Sequence, residues 1–114
     1  MQEIIEQFND IIDSYSILEN EIIDSGFKFK AIIRFKDFSR LDARDFYFPN
    51  RRSYSFHWMK EDNTLIMRWD NANHYPEMET FPFHKHVREK ENVQDSLEVT
   101  LFDVLTEIKN IFKK

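Results

Sequence analysis

The chain has 114 residues, of which 41% are hydrophobic and 32% are charged, and its formal net charge is −5. A chain of this size and composition is expected to form one domain, residues 1–114, with an apolar core and a well-solvated surface. The absence of cysteine excludes a disulfide scaffold and a Cys-ligated metal site. The sequence has neither an apolar run of membrane-spanning length nor the basic N-terminal flank of a signal peptide. We therefore expect a cytoplasmic protein without a membrane partner.

The acidic residues are unevenly distributed along the chain. Residues 1–25 contain seven Asp and Glu residues and no Lys or Arg, so residues 26–114 contain 16 basic and 14 acidic residues. The net negative charge by itself argues against a nucleic-acid partner. Its concentration at the N-terminus leaves the rest of the chain free to form a local basic patch.

Residues 2–23 carry apolar side chains at alternating steps of four and three, which predicts an amphipathic helix. Such a helix packs on a sheet or provides a seam for a partner, including a second copy of the chain in a homodimer. The stripe consists of Ile4, Phe8, Ile11, Tyr15, Leu18 and Ile22.

The middle of the chain predicts four strands with short connections, which favours an antiparallel meander. They cover residues 27–36, 40–48, 53–59 and 64–70. Residues 71–92 lack a sustained period and are rich in His and aromatic residues, which is typical of a functional loop. The sequence does not decide whether residues 83–87 form a fifth strand. Residues 96–112 predict a helix, with Asp95 and Glu98 as its capping box. The expected fold class is α+β: an antiparallel meander of four strands, or five, with an N-terminal and a C-terminal helix packed on it.

The third and fourth predicted strands form a hairpin with one polar and one apolar face. A two-residue loop at residues 62–63 would place His57 opposite Arg68, and Ser55 opposite Asp70, on the polar face. A slip of one residue would destroy this separation of faces. The apolar face would carry Phe56, Trp58, Met67 and Trp69.

This polar face has the residue types that RNA cleavage without a metal requires. His57 can move a proton near neutral pH, Arg68 can bind a phosphate through two hydrogen bonds, and Asp70 can orient either of them. The alternative is an ordinary surface ion pair between Arg68 and Asp70 beside an uninvolved histidine.

The predicted loop adds further candidates for RNA chemistry. His84 and His86 are two more imidazoles for proton transfer, and Tyr75 can stack on an unpaired base. Phe81 and Phe83 are aromatic as well, but they can instead fill the core beneath the loop. The cations expected to bind nucleic acid are Arg51, Arg52, Lys85 and Arg88.

A metal site is the other interpretation of the histidines. His84 and His86 would share one face of an extended strand, and His74 or Asp70 could complete a ligand shell. A single His-x-His pair is a short and unspecific pattern. We therefore expect no metal and no other cofactor.

The same segments carry a family resemblance. They are Tyr54–Trp58, Arg68–Ala72, His74, Pro76–Glu77, Thr80–Pro82 and His84–Val87. In order and spacing this run resembles the TumE family, small proteins encoded as toxins of prokaryotic toxin–antitoxin pairs. The final helix is similar to the family's C-terminal segment. The sequence departs from the family pattern at Tyr75 and Phe83, where relatives often have histidine.

The resemblance implies a toxin opposed by a cognate antitoxin, which in such pairs is typically a DNA-binding helix-turn-helix protein. It implies no catalytic mechanism. Joined to the residue chemistry, it predicts a toxin that acts on RNA, with metal-independent endoribonuclease activity as the sharper hypothesis. The alternative is a non-catalytic RNA- or protein-binding module regulated by the antitoxin. The candidate catalytic residues are His57, Arg68, Asp70, His84 and His86, and the candidate RNA-binding residues are Arg51, Arg52, Tyr75, Lys85 and Arg88.

Overall fold

A seven-stranded antiparallel sheet dominates the computed structural model, which describes residues 1–113. The elements are α1 (Gln2–Glu6), β1 (Ile12–Ile23), β2 (Gly26–Phe35), β3 (Arg40–Phe48), β4 (Arg51–Met59), β5 (Leu65–Asp70), β6 (His84–Val87), β7 (Val93–Asp95) and α2 (Leu101–Phe112). The strands lie side by side in chain order, which confirms the meander. The predicted number of four or five strands was too low, because β1 and β7 were not recognised. Among the described residues, neither helix is long and apolar enough to cross a membrane.

The two faces of the sheet differ in character. One face, here called the covered face, packs against the buried side of α2, whose core residues are Leu101, Val104, Leu105 and Ile108. The strands contribute large buried side chains to this core, among them Phe29, Ile33, Leu41, Phe56, Trp58 and Trp69. The opposite face, here called the open face, carries the alternate residues of each strand, which are mainly polar.

The N-terminal helix predicted over residues 2–23 is wrong beyond its first turns. Only Gln2–Glu6 is helical, and Ile12–Ile23 forms the edge strand β1. The many β-branched side chains of this segment favour a strand. Register shifts at Asp13 and Leu18 interrupt the period-two alternation, so the sequence did not look like a strand. A homodimer through a long N-terminal helix therefore has no structural basis.

The C-terminal helix is present but begins five residues later than predicted. Its N-cap is Thr100, whose side chain accepts a hydrogen bond from the Asp103 backbone while the Asp103 carboxylate accepts one from the Thr100 backbone. The predicted capping box at Asp95 and Glu98 is not used. Asp95 ends β7, and Glu98 lies 3.1 Å from Nη1 of Arg52.

The β4–β5 hairpin has the predicted register but not the predicted loop. His57 pairs with Arg68, and Ser55 pairs with Asp70. The turn is one residue longer than expected: Lys60 pairs with Thr64 and Asn63 adopts a positive φ of 70°. A bulge beyond the turn leaves Ile66 without a partner residue on β4, because Met59 pairs with Leu65 and Trp58 with Met67. The extra loop residue and the bulged residue shift the strand register by one residue in opposite directions, so the predicted pairs form.

Candidate functional site

The open face brings the predicted catalytic side chains together on three neighbouring strands. His57, Arg68 and His86 form one row across β4, β5 and β6. Asp70 and His84 form the adjacent row together with Ser55. Side chains on the same face of neighbouring strands lie close enough to interact directly. All five predicted catalytic residues therefore belong to one cluster.

Arg68 is the centre of this cluster. Its Nε donates a 3.0 Å hydrogen bond to Oδ2 of Asp70, and its Nη1 lies 2.9 Å from Nδ1 of His57. The side chain is still 38% exposed. Three depressions of the open face, of about 360, 410 and 500 Å³, are each lined by Arg68. An oriented, accessible guanidinium at such a junction is suited to bind an anion.

His57 is held in its neutral form by its surroundings. Partial burial and the neighbouring charge of Arg68 lower the pKa of His57 below its ordinary value of 6.5. Because a guanidinium has no acceptor atom, Nδ1 of His57 must accept the hydrogen bond from Arg68. The remaining proton of the neutral ring is then on Nε2.

Within this set of five residues, Asp70, His84 and His86 form a compact subgroup, here called the carboxylate–histidine cluster. Nε2 of His84 lies 2.8 Å from Oδ1 of Asp70, and Nε2 of His86 lies 3.5 Å from Oδ2. One ligand atom from each residue falls within 4.8 Å of the others. All three residues are buried, although they lie on the open face. A cluster of two imidazoles and one carboxylate is a donor set that can hold a metal ion.

The segment after β5 buries this cluster. The ring of Tyr75 packs edge-on against His84, at 4.9 Å between centroids, and lies 6.0 Å from His86. The cavity of about 500 Å³ lies between this segment and the strands. Its lining includes His57, Arg68 and His74 as well as Tyr75 and the carboxylate–histidine cluster.

The predicted RNA-binding residues are divided between the two faces. Tyr75 lies over the cluster, and Arg51, whose Cζ is 5.1 Å from the ring of Phe48, lines a depression on the open face. Lys85 points to the covered face, where its Nζ lies 3.7 Å from Glu107 of α2.

Arg52 lines the depression that also contains Arg68 and Asp70, but acidic side chains engage its guanidinium, whereas Arg88 lies away from these residues. Arg52 makes two 2.9 Å hydrogen bonds to the carboxylate of Asp45, and the side chains of this pair are 8% and 1% exposed. Arg88 follows β6, with an exposed side chain near Ile111 and Phe112 of α2. The geometry thus supports Arg51 and Tyr75 as ligand-binding residues better than the other three.

The sequence did not predict the cations that surround Phe46 at the other end of the open face, where the β1 residues paired with Lys28 and Lys30 are Glu21 and Glu19. Nζ of Lys28, Nζ of Lys30 and Cζ of Arg44 lie 5.6, 5.6 and 4.5 Å from the centroid of the Phe46 ring. We call these four residues the basic–aromatic patch. The alternation of residues 27–36 does place Lys28 and Lys30 on one polar side. Only the pairing of β2, β3, β4 and β5 shows that this side continues to His57 and Arg68.

Comparison with known families gives one match. The family model described as Toxin TumE matches residues 1–112 of the 114-residue chain. The matched range contains both helices and all seven strands of the described part of the chain. No curated protein and no solved structure matches the chain.

Proposed function

The chain belongs to the TumE family of toxins, and we propose that it acts on RNA through the open face, with endoribonuclease activity centred on Arg68 and His57. Membership of this family makes it the toxin component of a toxin–antitoxin system, with a cognate antitoxin as its partner. We further propose that the antitoxin is a helix-turn-helix protein. An RNA-directed toxin of this kind acts in the cytoplasm.

The observation that carries the proposal is the position of Arg68. It lies where three depressions of the open face meet, between a neutral histidine and a buried carboxylate. A phosphodiester that enters this junction presents two oxygens to a guanidinium that Asp70 already orients. The RNA strand on either side of that phosphate can follow the depressions.

His57 is the candidate general base. When Arg68 turns to a phosphate, the Nδ1 lone pair of His57 is released from its hydrogen bond. The neutral imidazole then accepts the proton of the ribose 2′-hydroxyl, and the 2′-oxygen attacks the adjacent phosphorus. The bond to the 5′-oxygen breaks, which leaves a 2′,3′-cyclic phosphate on one fragment and a 5′-hydroxyl on the other. Arg68 stabilises the negative charge of the intermediate.

The sequence suggested His84 or His86 as the donor of a proton to the leaving 5′-oxygen, but their geometry favours another donor. In both His84 and His86, Nδ1 contacts a backbone carbonyl and Nε2 faces Asp70. Neither ring therefore offers a free nitrogen to a substrate. We assign this proton to water in the cavity beside Arg68.

The basic–aromatic patch supports a second candidate function, which is RNA binding without cleavage. Two lysines and an arginine surround the Phe46 ring, and cations interleaved with an aromatic ring suit the backbone and bases of a single strand. The patch shares Arg44 and Lys30 with the depression that contains His57 and Arg68. A toxin of this type would inhibit by occupying its RNA.

Incubation of single-stranded RNA with purified protein separates these functions. We expect wild type to generate fragments with 2′,3′-cyclic phosphate ends and His57→Ala to lose about 100-fold in rate. Lys85→Ala, altered on the covered face, is the matched control and should cleave like wild type. Cleavage that persists in EDTA supports the metal-independent mechanism.

Two outcomes contradict the endoribonuclease proposal. One is intact RNA at all protein concentrations, both in EDTA and with added Zn²⁺ or Mn²⁺. The other is equal cleavage by wild type and His57→Ala. Intact RNA that wild type retains and Arg44→Ala releases would instead support the binding function.

A further inference from the structure

The hydrogen bonds at Nδ1 fix the orientation of both buried histidines. Nδ1 of His84 lies 2.9 Å from the carbonyl oxygen of Pro82, and Nδ1 of His86 lies 2.7 Å from that of Lys90. A carbonyl oxygen can only accept, so both Nδ1 atoms carry a proton. In the neutral form of each ring, Nε2 is then an unprotonated nitrogen with its lone pair directed away from these carbonyls.

Both Nε2 atoms face the same carboxylate. They lie 2.8 and 3.5 Å from the two oxygens of Asp70. The Nδ1 atoms make hydrogen bonds to backbone carbonyls, and the Nε2 atoms lie within ion-pair distance of the carboxylate. In that neutral form the two lone pairs and the carboxylate repel one another in a buried position, and a metal ion between them removes this repulsion.

We propose that Asp70, His84 and His86 bind one divalent transition-metal ion, with Zn²⁺ as the best match. Two ligands that are each about 2.1 Å from one ion and at tetrahedral or octahedral angles lie about 3.0–3.4 Å apart. The two observed Nε2–oxygen distances lie close to this range. Two imidazoles favour Zn²⁺ and its neighbours over Mg²⁺ and Ca²⁺, which prefer all-oxygen ligands.

The surroundings of the cluster have the features of a supported metal site. Metal-bound histidines usually donate their second ring N–H to a carbonyl or a carboxylate, as His84 and His86 do here. Asp70 is oriented in turn by the backbone N–H of Ala72 at 3.0 Å and by Arg68. The cavity of about 500 Å³ reaches all three ligands and leaves room for water or a phosphate oxygen on the ion.

Asp70 supplies the third ligand, which the His-x-His pattern alone does not provide. The His-x-His pair alone offers two ligands, and the sequence predicted no metal on that ground. The pairing of β5 with β6 places Asp70 directly opposite His84. Such an ion would bind in the absence of RNA, so the site does not depend on the proposed RNA cleavage.

The first test uses the wild-type chain after removal of metals with a chelator. We expect titration with Co²⁺ to produce visible d–d absorption that saturates at one equivalent, and Zn²⁺ to displace the Co²⁺. In ¹⁵N spectra of the histidine rings, Zn²⁺ should shift Nε2 of His84 and His86 and leave His57 unchanged. Mg²⁺ at the same concentration should produce neither effect.

Variants then test the assignment of the ligands. We expect His86→Asn and Asp70→Asn to weaken Zn²⁺ binding at least 100-fold, because even changes behind the ligands cost 10- to 100-fold. His57→Gln is the matched control on the same face and should bind Zn²⁺ as wild type does. The folding of each variant is checked by circular dichroism, and the wild-type spectra carry the test if a variant does not fold.

The proposal is overturned if wild type shows no stoichiometric Zn²⁺ or Co²⁺ binding at micromolar concentrations. It is also overturned if the histidine resonances that shift belong to His57 or His74 instead of His84 and His86. These readouts use no RNA, so their outcome is independent of the cleavage assay.

Discussion

Arg68 donates a hydrogen bond from Nη1 to Nδ1 of His57 across 2.9 Å, and this contact joins a candidate base to a candidate phosphate ligand. Burial is the largest cause of the lowered pKa of His57, and Arg68 is the second. Arg40 and His86 also lower this pKa, whereas Asp42 raises it.

We expect Arg68→Ala to raise the pKa of His57 towards 6.5, because one of the two main causes of the shift is removed. An NMR titration of the His57 ring protons in EDTA measures this change. Arg44→Ala, on the same face but outside the contacts of His57, should leave the pKa unchanged. An unchanged value in Arg68→Ala would show that the charge of Arg68 does not contribute to the lowered pKa.

The lowered pKa has a consequence for stability. A histidine whose folded-state pKa lies below its unfolded value costs no stability above pH 6.5, where it is neutral in both states. As the pH falls from 6.5 through the folded-state pKa, the unfolded chain takes up the proton first and the folded protein is destabilised. We expect urea unfolding of His57→Gln to show a weaker loss of stability over this window than wild type.

The ion pair between Arg52 and Asp45 predicts a structural role for Arg52. Both side chains are almost fully buried, so Asp45→Ala leaves a desolvated guanidinium with one exposed partner, Glu98. Breaking such a pair costs about 3–5 kcal/mol of the free energy of unfolding. Arg51→Ala should change it by less than about 0.5 kcal/mol, because Arg51 is exposed. If Asp45→Ala and Arg51→Ala changed the free energy of unfolding equally in chemical denaturation, the structural role of Arg52 would be contradicted.

Arg44 and Lys85 should differ in RNA binding although both are cations. Arg44 lies on the open face against Phe46, and Lys85 lies on the covered face near Glu107. We expect Arg44→Ala to weaken binding and to lower the slope of log affinity against log salt by about 0.7, the value for one phosphate contact to a single strand. Lys85→Ala should keep the wild-type slope. The reverse result would place the RNA on the covered face.

The capping box of α2 gives a prediction about stability alone. Thr100→Ala removes the side chain that accepts from the Asp103 backbone and should cost about 1 kcal/mol in urea unfolding. Asp95→Ala alters the residue that the sequence suggested as part of the cap. It should have a smaller effect, since Asp95 is exposed at the end of β7.

Alternation made the central part of the fold predictable. In β2 to β5, period-two patterns and short turns determine both the strands and the faces, and the hairpin pairs of His57 and Ser55 formed as expected. The bulges of β1 and the three-residue length of β7 left too little alternation to recognise. The start of α2 was misplaced because Asp95 and Glu98 have the spacing of a cap, whereas residues 96–99 are not helical.

The candidate site was predictable where it depends on one hairpin and not where it depends on distant pairing. His57, Arg68 and Asp70 are neighbours in the hairpin. The contact of Asp70 with His84 spans an irregular segment of residues 71–83, whose path no periodicity determines. The placement of Lys85 could have been inferred, because a residue between His84 and His86 in a strand points to the opposite face.

The division of the sheet into two faces has a practical value for work on the toxin. The partly exposed residues Arg44, His57 and Arg68 make few contributions to the core, which lies on the other side of the sheet. Their joint replacement should yield a folded chain that cells can produce without the antitoxin. Such a chain would keep its native covered face and sheet edges, and it could serve as bait to isolate the antitoxin and to map which face the antitoxin occupies.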